Sequence, residues 1–284
     1  MLVPALSGPR PSPDDPGGRA EILAKLRTHQ QGRPPVDPEL AGGLRAWLED
    51  GAAAVGLDPD GPPLVVDKQK IQDALSGGDV GRPRVITTAL VLGSLVDTVF
   101  RQLVTVGDLA DPWDEAWAAL GADPRQADAV AFVDALDDDE RTRLRLDLDD
   151  HAARMARQWP ALAPGWLPRT QERLWVPLAG GRVVLKGVVD LALGAPPQDR
   201  ASVCLVEVKS GRRRFEHRAD LHYYALLETI RDGAPPFRVA TYYTATGELD
   251  AEGVTDEVLT NAVRRTLDAV TLLARTGPDE GPAR

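Results

Sequence analysis

Three charged residues stand in two apolar segments of the C-terminal half of the chain. The segment GVVDLAL contains Asp190, and the segment SVCLVEVKS contains Glu207 and Lys209, two positions apart. Because side chains alternate along a strand, we expect Glu207 and Lys209 on the same face. Charged residues rarely lie in a covered strand unless they are paired or hold a metal ion. Two carboxylates brought together at one sheet edge predict a site for a hard divalent cation, Mg²⁺ or Mn²⁺.

A lysine beside such carboxylates adds a second chemical function. Its ammonium group can position a metal-bound water and stabilise the charge that develops on a phosphate. Lys209 next to Asp190 and Glu207 therefore predicts the hydrolysis of phosphodiester bonds. Two alternatives stay open at this point. Either Glu207 and Lys209 form an exposed ion pair while Asp190 caps a strand end, or the three residues form a purely structural network.

The elements that must position these residues are indicated by the spacing of apolar side chains. Leu174, Val176 and Leu178 alternate, and Ala179-Gly180-Gly181 follows them, which predicts a hairpin leading into the segment with Asp190. The run before Glu207 is continuously apolar, as in a strand covered on both faces. Further patterns predict a helix at about 85–105, a helix ending near Gly233, a strand over FRVATYYTAT, and a closing helix capped by Thr255.

This order of elements predicts an α/β protein with a mixed central β-sheet flanked by helices and an N-terminal helical extension. We expect a disordered tail over 1–19, the extension over 20–84 and the main domain over 85–277. A helical insertion is expected at about 106–165, and a second tail over 278–284. In the extension, VDPEL predicts a helix with Asp37 as its N-cap and Pro38 at its first position.

Composition excludes several classes of site. The chain has 33 basic and 43 acidic residues, a net charge of −10, and one cysteine, Cys204. One cysteine provides neither a disulfide within the chain nor the ligands of a Cys-rich zinc site or an iron–sulfur cluster, and a reducing cytoplasm is the expected compartment. No secretion signal is seen, and the most apolar stretch carries Asp97 and Arg101, which argues against a membrane span.

The segments GVVDLAL, CLVEVKSG and DLHYYALL, in this order, resemble the motifs of the RecB-like branch of the PD-(D/E)xK nuclease superfamily. The resemblance covers roughly residues 85–275 and implies a restriction-endonuclease-like core. It implies that Asp190, Glu207 and the carbonyl of Val208 bind the metal ion and that Lys209 is catalytic. Tyr224 matches a tyrosine of the family's last motif, where it could hydrogen-bond a phosphate, although its apolar neighbours also suit a core position.

Three other positions are compared with the same family. Asp97 stands where the family usually has a metal-binding histidine, and its alternative role is an exposed pair with Arg101. Asp220 replaces a glutamine of the last motif, which adds negative charge near the phosphates. Glu172 stands where related chains often have an acid, and it could equally be an ordinary charge at the start of a strand.

A local basic patch follows the expected catalytic strand in this acidic chain. It comprises Arg212, Arg213, Arg214 and Arg218, and Lys186 is expected beside the site. A phosphate backbone must arrive there, so these residues are predicted to bind nucleic acid.

The sequence thus predicts a Mg²⁺- or Mn²⁺-dependent nuclease of the (exo)deoxyribonuclease kind, with exonuclease and endonuclease both open and with RNA as the alternative substrate. The resemblance implies a role in DNA repair or recombination or in defence against foreign DNA. Because the chain has no ATPase motif, a helicase or defence-complex partner would supply any unwinding. The alternative function is a catalytically degenerate nuclease fold that acts as a nucleic-acid-binding or assembly module.

Overall fold

The computed structural model describes residues 18–27, 33–78, 85–107, 110–195 and 199–276. The two expected tails lie outside these ranges, apart from Gly18 and Arg19. The helices are α1 Arg19–Leu26, α2 Pro38–Ala54, α3 Lys68–Leu75, α4 Thr88–Thr105, α5 Pro112–Gly121, α6 Ala127–Asp134, α7 Asp138–Gln158, α8 Phe215–Asp232 and α9 Asp256–Thr276. The strands are β1 Leu64–Val66, β2 Arg169–Leu178, β3 Val183–Leu193, β4 Cys204–Lys209, β5 Arg238–Tyr243 and β6 Glu248–Gly253.

All six strands form one mixed sheet. Strands β1 and β3 are parallel, as are β4 and β5, whereas β2–β3, β3–β4 and β5–β6 are antiparallel. The predicted α/β class with a mixed sheet between helices is confirmed. The segment before residue 85 is not helical throughout, because its strand β1 belongs to this sheet.

Strand β3 carries an interruption in its pairing. One of its edges pairs with β2 from Arg169↔Ala192 to Leu178↔Val183. Its other edge is shared: β1 pairs with residues 183–185 and β4 pairs with residues 191–193. Within the described residues, no strand pairs with 186–190 on that second edge. We call residues 186–190 the β3 gap.

Two apolar cores lie on the two faces of the sheet. Helices α2, α3, α8 and α9 cover one face, and α4 with the helices of the insertion, α5 to α7, covers the other. Val189 packs in the first core and Leu191 in the second, so the usual alternation of β3 is broken at Asp190. Directly across on β2, Gln171 has a left-handed backbone with φ 54°. The chain is therefore locally distorted on both strands beside Asp190.

Local sequence signals explain where the helices begin and end. The Asp37 side chain accepts hydrogen bonds from the backbone N–H groups of Glu39 and Leu40, as predicted for an N-cap. Gly233 ends α8 with φ 74°, a conformation that favours glycine. Among the described residues, α4 alone is long and apolar enough by composition to cross a membrane, and its buried side chains pack in the second core.

Candidate active site in the β3 gap

The Asp190 side chain connects β3 to β4 by a hydrogen bond just beyond the point where the backbone pairing of the two strands ends. Its Oδ2 accepts a hydrogen bond of 2.7 Å from the backbone N–H of Val208, and its Oδ1 accepts one of 3.4 Å from the side chain of Gln171. Burial, followed by the negative charges of Glu207 and Asp97, raises the pKa of Asp190 well above its ordinary value. The carboxylate thus replaces a strand partner and is held among like charges.

Glu207 lies at the centre of the cluster, 2% exposed. Its Oε1 accepts hydrogen bonds from two ammonium groups, that of Lys209 at 2.9 Å and that of Lys68. Burial alone would raise the pKa of Glu207, but the two lysines outweigh it and hold the pKa below its ordinary value. Glu207 is therefore ionised, as the predicted ion-binding role requires.

Asp97 reaches the cluster from helix α4. One helical turn earlier, α4 passes beside the end of β4: a Cβ at Gly93 would lie 3.6 Å from the Ser210 hydroxyl, an ordinary van der Waals contact. Burial, followed by the charge of Glu207, raises the pKa of Asp97 to about 7. No salt bridge joins Asp97 to Arg101 in the described part of the chain, so the alternative of an exposed pair has no support here.

Lys68 is a member of the site that the sequence did not indicate. It is the first residue of α3, directly after β1, and Asp67 caps this helix by accepting from the Lys70 N–H at 3.0 Å. The pairing of β1 with β3 brings Lys68 to Glu207, although the two residues are far apart in the sequence. Its ammonium nitrogen also lies 5.0 Å from the centre of the Tyr224 ring.

Tyr224 and Asp220 lie on the face of α8 that adjoins the site. Tyr224 is 2% exposed, so it is placed to act through Lys68 and not by direct contact with a phosphate. Asp220 Oδ2 is 3.9 Å from the Lys209 ammonium, which makes it a third acceptor around the two lysines. Burial, only partly offset by these lysines, raises the pKa of Asp220.

The predicted basic residues divide into two groups. Arg213 is paired with Asp250 at 2.6 Å, and Arg218 is paired with Glu252 at 2.5 Å; both acids lie on β6. These two arginines are thus engaged within the protein. Arg212 and Arg214 are exposed and have no ionic partner in the described residues, and Lys186 is exposed in the β3 gap. All five predicted basic residues thus remain exposed to a phosphate backbone, and Arg213 and Arg218 would have to share or exchange their surface ion pairs to bind it.

Glu172 lies outside the site. Its Oε1 is 2.7 Å from Arg231 on α8, and its Oε2 is 3.4 Å from Arg169. Arg231 also binds Glu228 at 2.8 Å, so these residues form a separate ionic network on the α8 side of the sheet. Its arrangement agrees with a structural role for Glu172.

An open cleft of about 370 Å³ gives access to the cluster. It lies between α3, α4, the end of β4 and the start of α8, and it is lined by Lys68, Ser94, Asp97, Lys209, His217 and Asp220 among others. Burial, with the charges of Lys209 and Arg214, lowers the pKa of His217 to about 4, so this imidazole is neutral at physiological pH. The charged groups that line the cleft are therefore carboxylates, the two lysines and Arg214.

The donor atoms suit a metal ion held by few protein ligands. Within the described residues no group of three or more His, Cys, Asp or Glu side chains is arranged to hold a metal ion. However, the buried Oε2 of Glu207 has no hydrogen-bond partner there, which leaves one carboxylate oxygen free. Mg²⁺ is commonly bound through one or two carboxylates, with water and substrate phosphates completing its shell. The residues fit such a site and do not form a cage.

Comparisons with known proteins give little information about this chain. No family model and no curated protein matches it. Ten chains of known structure match, among them one described as the crystal structure of SSO0001. Its sequence identity is 16%, the match covers 72% of this chain and 83% of that one, and the TM-score is 0.29. A likeness at that TM-score supports no conclusion, so function has to be inferred from the site.

Proposed function

We propose that this protein is a divalent-metal-dependent nuclease that hydrolyses phosphodiester bonds of DNA, on a restriction-endonuclease-like core of the RecB-like kind. One observation carries the proposal. Asp97, Asp190 and Glu207 come from three different elements and lie near enough at the β3 gap that burial and their mutual repulsion raise the pKa of Asp97 and of Asp190. Such a concentration of buried negative charge lowers the stability of the fold, and a bound cation would offset that loss.

Mg²⁺ or Mn²⁺ would be held by Asp190, Glu207 and Asp97, with the carbonyl of Val208 as a further ligand. When bound, such an ion supplies Lewis-acid stabilisation of phosphate charge and makes water more acidic. The protein itself supplies orientation. Val208 N–H fixes Asp190 by the hydrogen bond of 2.7 Å, and Lys209 is fixed by its contact of 2.9 Å with Glu207.

The lysines and arginines have separate roles in this mechanism. An ammonium group has three N–H donors, so Lys209 can bind Glu207 and still donate to the attacking water or to a phosphate oxygen. Lys68 holds the same Glu207 oxygen from the opposite element and is a positioning residue. Arg214 lines the cleft and Arg212 lies exposed two residues before it; both would bind the phosphate backbone.

A second function, a non-catalytic nucleic-acid-binding or assembly module, is favoured by a different observation. The Lys68 ammonium already neutralises Glu207, which is the role that a metal ion would have in a nuclease. In a fold that had lost catalysis, the Lys68 ammonium could compensate the charge of the buried Glu207 carboxylate without a metal ion. The two functions predict different results in a cleavage assay.

The test is cleavage of labelled linear and circular DNA, single and double stranded, with Mg²⁺, Mn²⁺ or EDTA. The variant Lys209→Ala should abolish cutting, and Lys68→Ala should reduce it by about 10- to 1000-fold because Glu207 loses one of its two anchors. Lys70→Ala on the same helix is the matched control and should cut like the wild type. Comparison of linear with circular DNA shows whether the enzyme requires an end, and a matched RNA shows whether it prefers DNA.

Two results would overturn the proposal. Folded wild-type protein that leaves every substrate intact with either metal would favour the binding module. Cutting that persists in EDTA or in Lys209→Ala would show that the chemistry lies elsewhere. We expect the activity to serve DNA repair, recombination or defence. Because the chain has no ATPase motif, a partner would have to separate the strands.

A further inference from the structure

One part of the sheet is not covered by helices on its outer side. In the middle of this hairpin, over 173–177 of β2 and 186–188 of β3, the residues that face α8 are shielded, whereas those facing the other way are exposed. We call this surface the hairpin face; it consists of Arg173, Trp175, Pro177, Lys186 and Val188. Trp175 is 58% exposed and Val188 is 41% exposed, although an indole is usually among the more buried side chains.

The hairpin face combines an aromatic ring with unpaired positive charge. Trp175 lies directly across from Lys186, and Arg173 lies directly across from Val188. Neither the Lys186 ammonium nor the Arg173 guanidinium has an ionic partner in the part of the chain that the structure describes. In a protein with a net charge of −10, this surface is locally basic. Its chemistry therefore suits an anionic ligand with a flat apolar part.

The hairpin face is continuous with the candidate active site. Lys186 and Val188 lie on one side of β3, and Asp190, where the alternation breaks, follows two residues further along the same strand. At about 3.3 Å per residue, Lys186 is roughly 13 Å from Asp190 along the strand. A nucleic-acid strand that passes over Lys186 and Trp175 could therefore reach the β3 gap within a short length of its own backbone.

We propose that the hairpin face binds an unpaired nucleotide of the substrate, with its base stacked on Trp175 and its phosphates beside Lys186 and Arg173. This inference rests on the proposed function and deepens it, because it assigns a single-stranded segment to the strand that enters the site. A base offers its flat face to an indole only when it is not stacked in a duplex, and such stacking does not depend on base identity. A paired duplex would offer only its phosphates to this surface.

The test measures binding apart from cleavage. The dissociation constant of a fluorescent single-stranded oligothymidine and of a blunt duplex hairpin is measured in EDTA, and again with Mg²⁺ on the Lys209→Ala background. Trp175→Ala should weaken single-strand binding about 5- to 150-fold, and Trp175→Phe should retain most of it. Duplex binding should change less than twofold. Trp47→Ala removes another exposed tryptophan, 38% exposed on α2, and serves as the control.

The outcomes separate this inference from the proposed function. If Trp175→Ala weakens single-strand binding but the wild type never cuts DNA, the hairpin face is supported and the nuclease fails. If Lys209-dependent cutting is found but Trp175→Ala binds and cuts single strands like the wild type, the nuclease stands and this inference is overturned. Equal weakening for single strand and duplex, or a wild-type dimer that Trp175→Ala dissociates, overturns it as well. Circular dichroism of each variant verifies that it is folded.

Discussion

Replacement of Asp97 by asparagine should stabilise the protein when no metal ion is present. Asp97 lies partly buried in the candidate site, and burial with the charge of Glu207 raises its pKa from 3.8 to about 7. At pH 8 the folded protein must therefore hold an ionised carboxylate in an unfavourable place. Asparagine has nearly the same shape and no charge, so it removes that cost.

The magnitude follows from the two pKa values. Each pKa unit corresponds to about 1.36 kcal/mol, so the difference between 3.8 and about 7 gives an upper limit of about 4 kcal/mol. Because Asp97 is still partly exposed, water screens these charges, and we expect about half of this, roughly 2 kcal/mol.

The pH dependence has a definite sign. Between about pH 4 and pH 7 the folded protein holds the Asp97 proton that the unfolded chain has released, so wild-type stability falls as pH rises through this window. The asparagine variant lacks this dependence. Its gain in the free energy of unfolding should be about 2 kcal/mol at pH 8 and less than about 1 kcal/mol at pH 5.

Urea unfolding in EDTA at the two pH values measures both gains. Asp268→Asn, an exposed position in the middle of α9, is the control, and its effect should stay within about 0.5 kcal/mol at either pH. A loss of stability of Asp97→Asn at pH 8, or an equal gain at both values, would refute the reasoning. Either result would mean that Asp97 is not repelled by its neighbours in the folded protein.

Three further predictions concern the surroundings of the site. Gly187→Ala places a methyl group 2.5 Å from the buried Tyr224 ring, which should lower the free energy of unfolding by about 2–4 kcal/mol in urea; wild-type stability would show that the ring can move. Tyr223→Phe removes a hydroxyl that lies within hydrogen-bond distance of two carbonyls, that of Val66 in β1 at 3.1 Å and that of Lys186 in the β3 gap at 3.0 Å, and donates its one hydrogen between them. About 1–2 kcal/mol should be lost in the same assay. Burial raises the pKa of the Cys204 thiol to about 12. A thiol reagent should therefore modify the native protein only as fast as the protein unfolds, and rapid labelling in native buffer would contradict this.

Much of the fold could be predicted because its signals are local. The caps at Asp37 and Gly233, the alternation before the hairpin and the long periodic helices each depend on neighbouring residues. Strand β6 was not predicted, because its sequence ELDAEG is polar and only Leu249 is buried in it. The sequence pattern therefore does not indicate the ion pairs of Arg213 and Arg218, whose partners Asp250 and Glu252 lie on this strand.

The site was predictable only in part. Asp190, Glu207 and Lys209 have a spacing that indicates their chemistry, and the structure brings all three together. Lys68 has no such signal, since VVDKQK resembles any start of a helix. Its place beside Glu207 depends on the pairing of β1 with β3, a long-range contact that no local pattern specifies.

The same pairing determines when the cluster can form during synthesis. Strand β1 and Lys68 leave the ribosome early, but β1 has no partner until Val183 of β3 has also emerged. At about 5–20 residues per second, this delay is roughly 6–24 seconds. Glu207 follows later, and Tyr224 later still. An unfinished chain therefore has neither a complete sheet nor the second lysine at Glu207, and the candidate site can first assemble when α8 has been made.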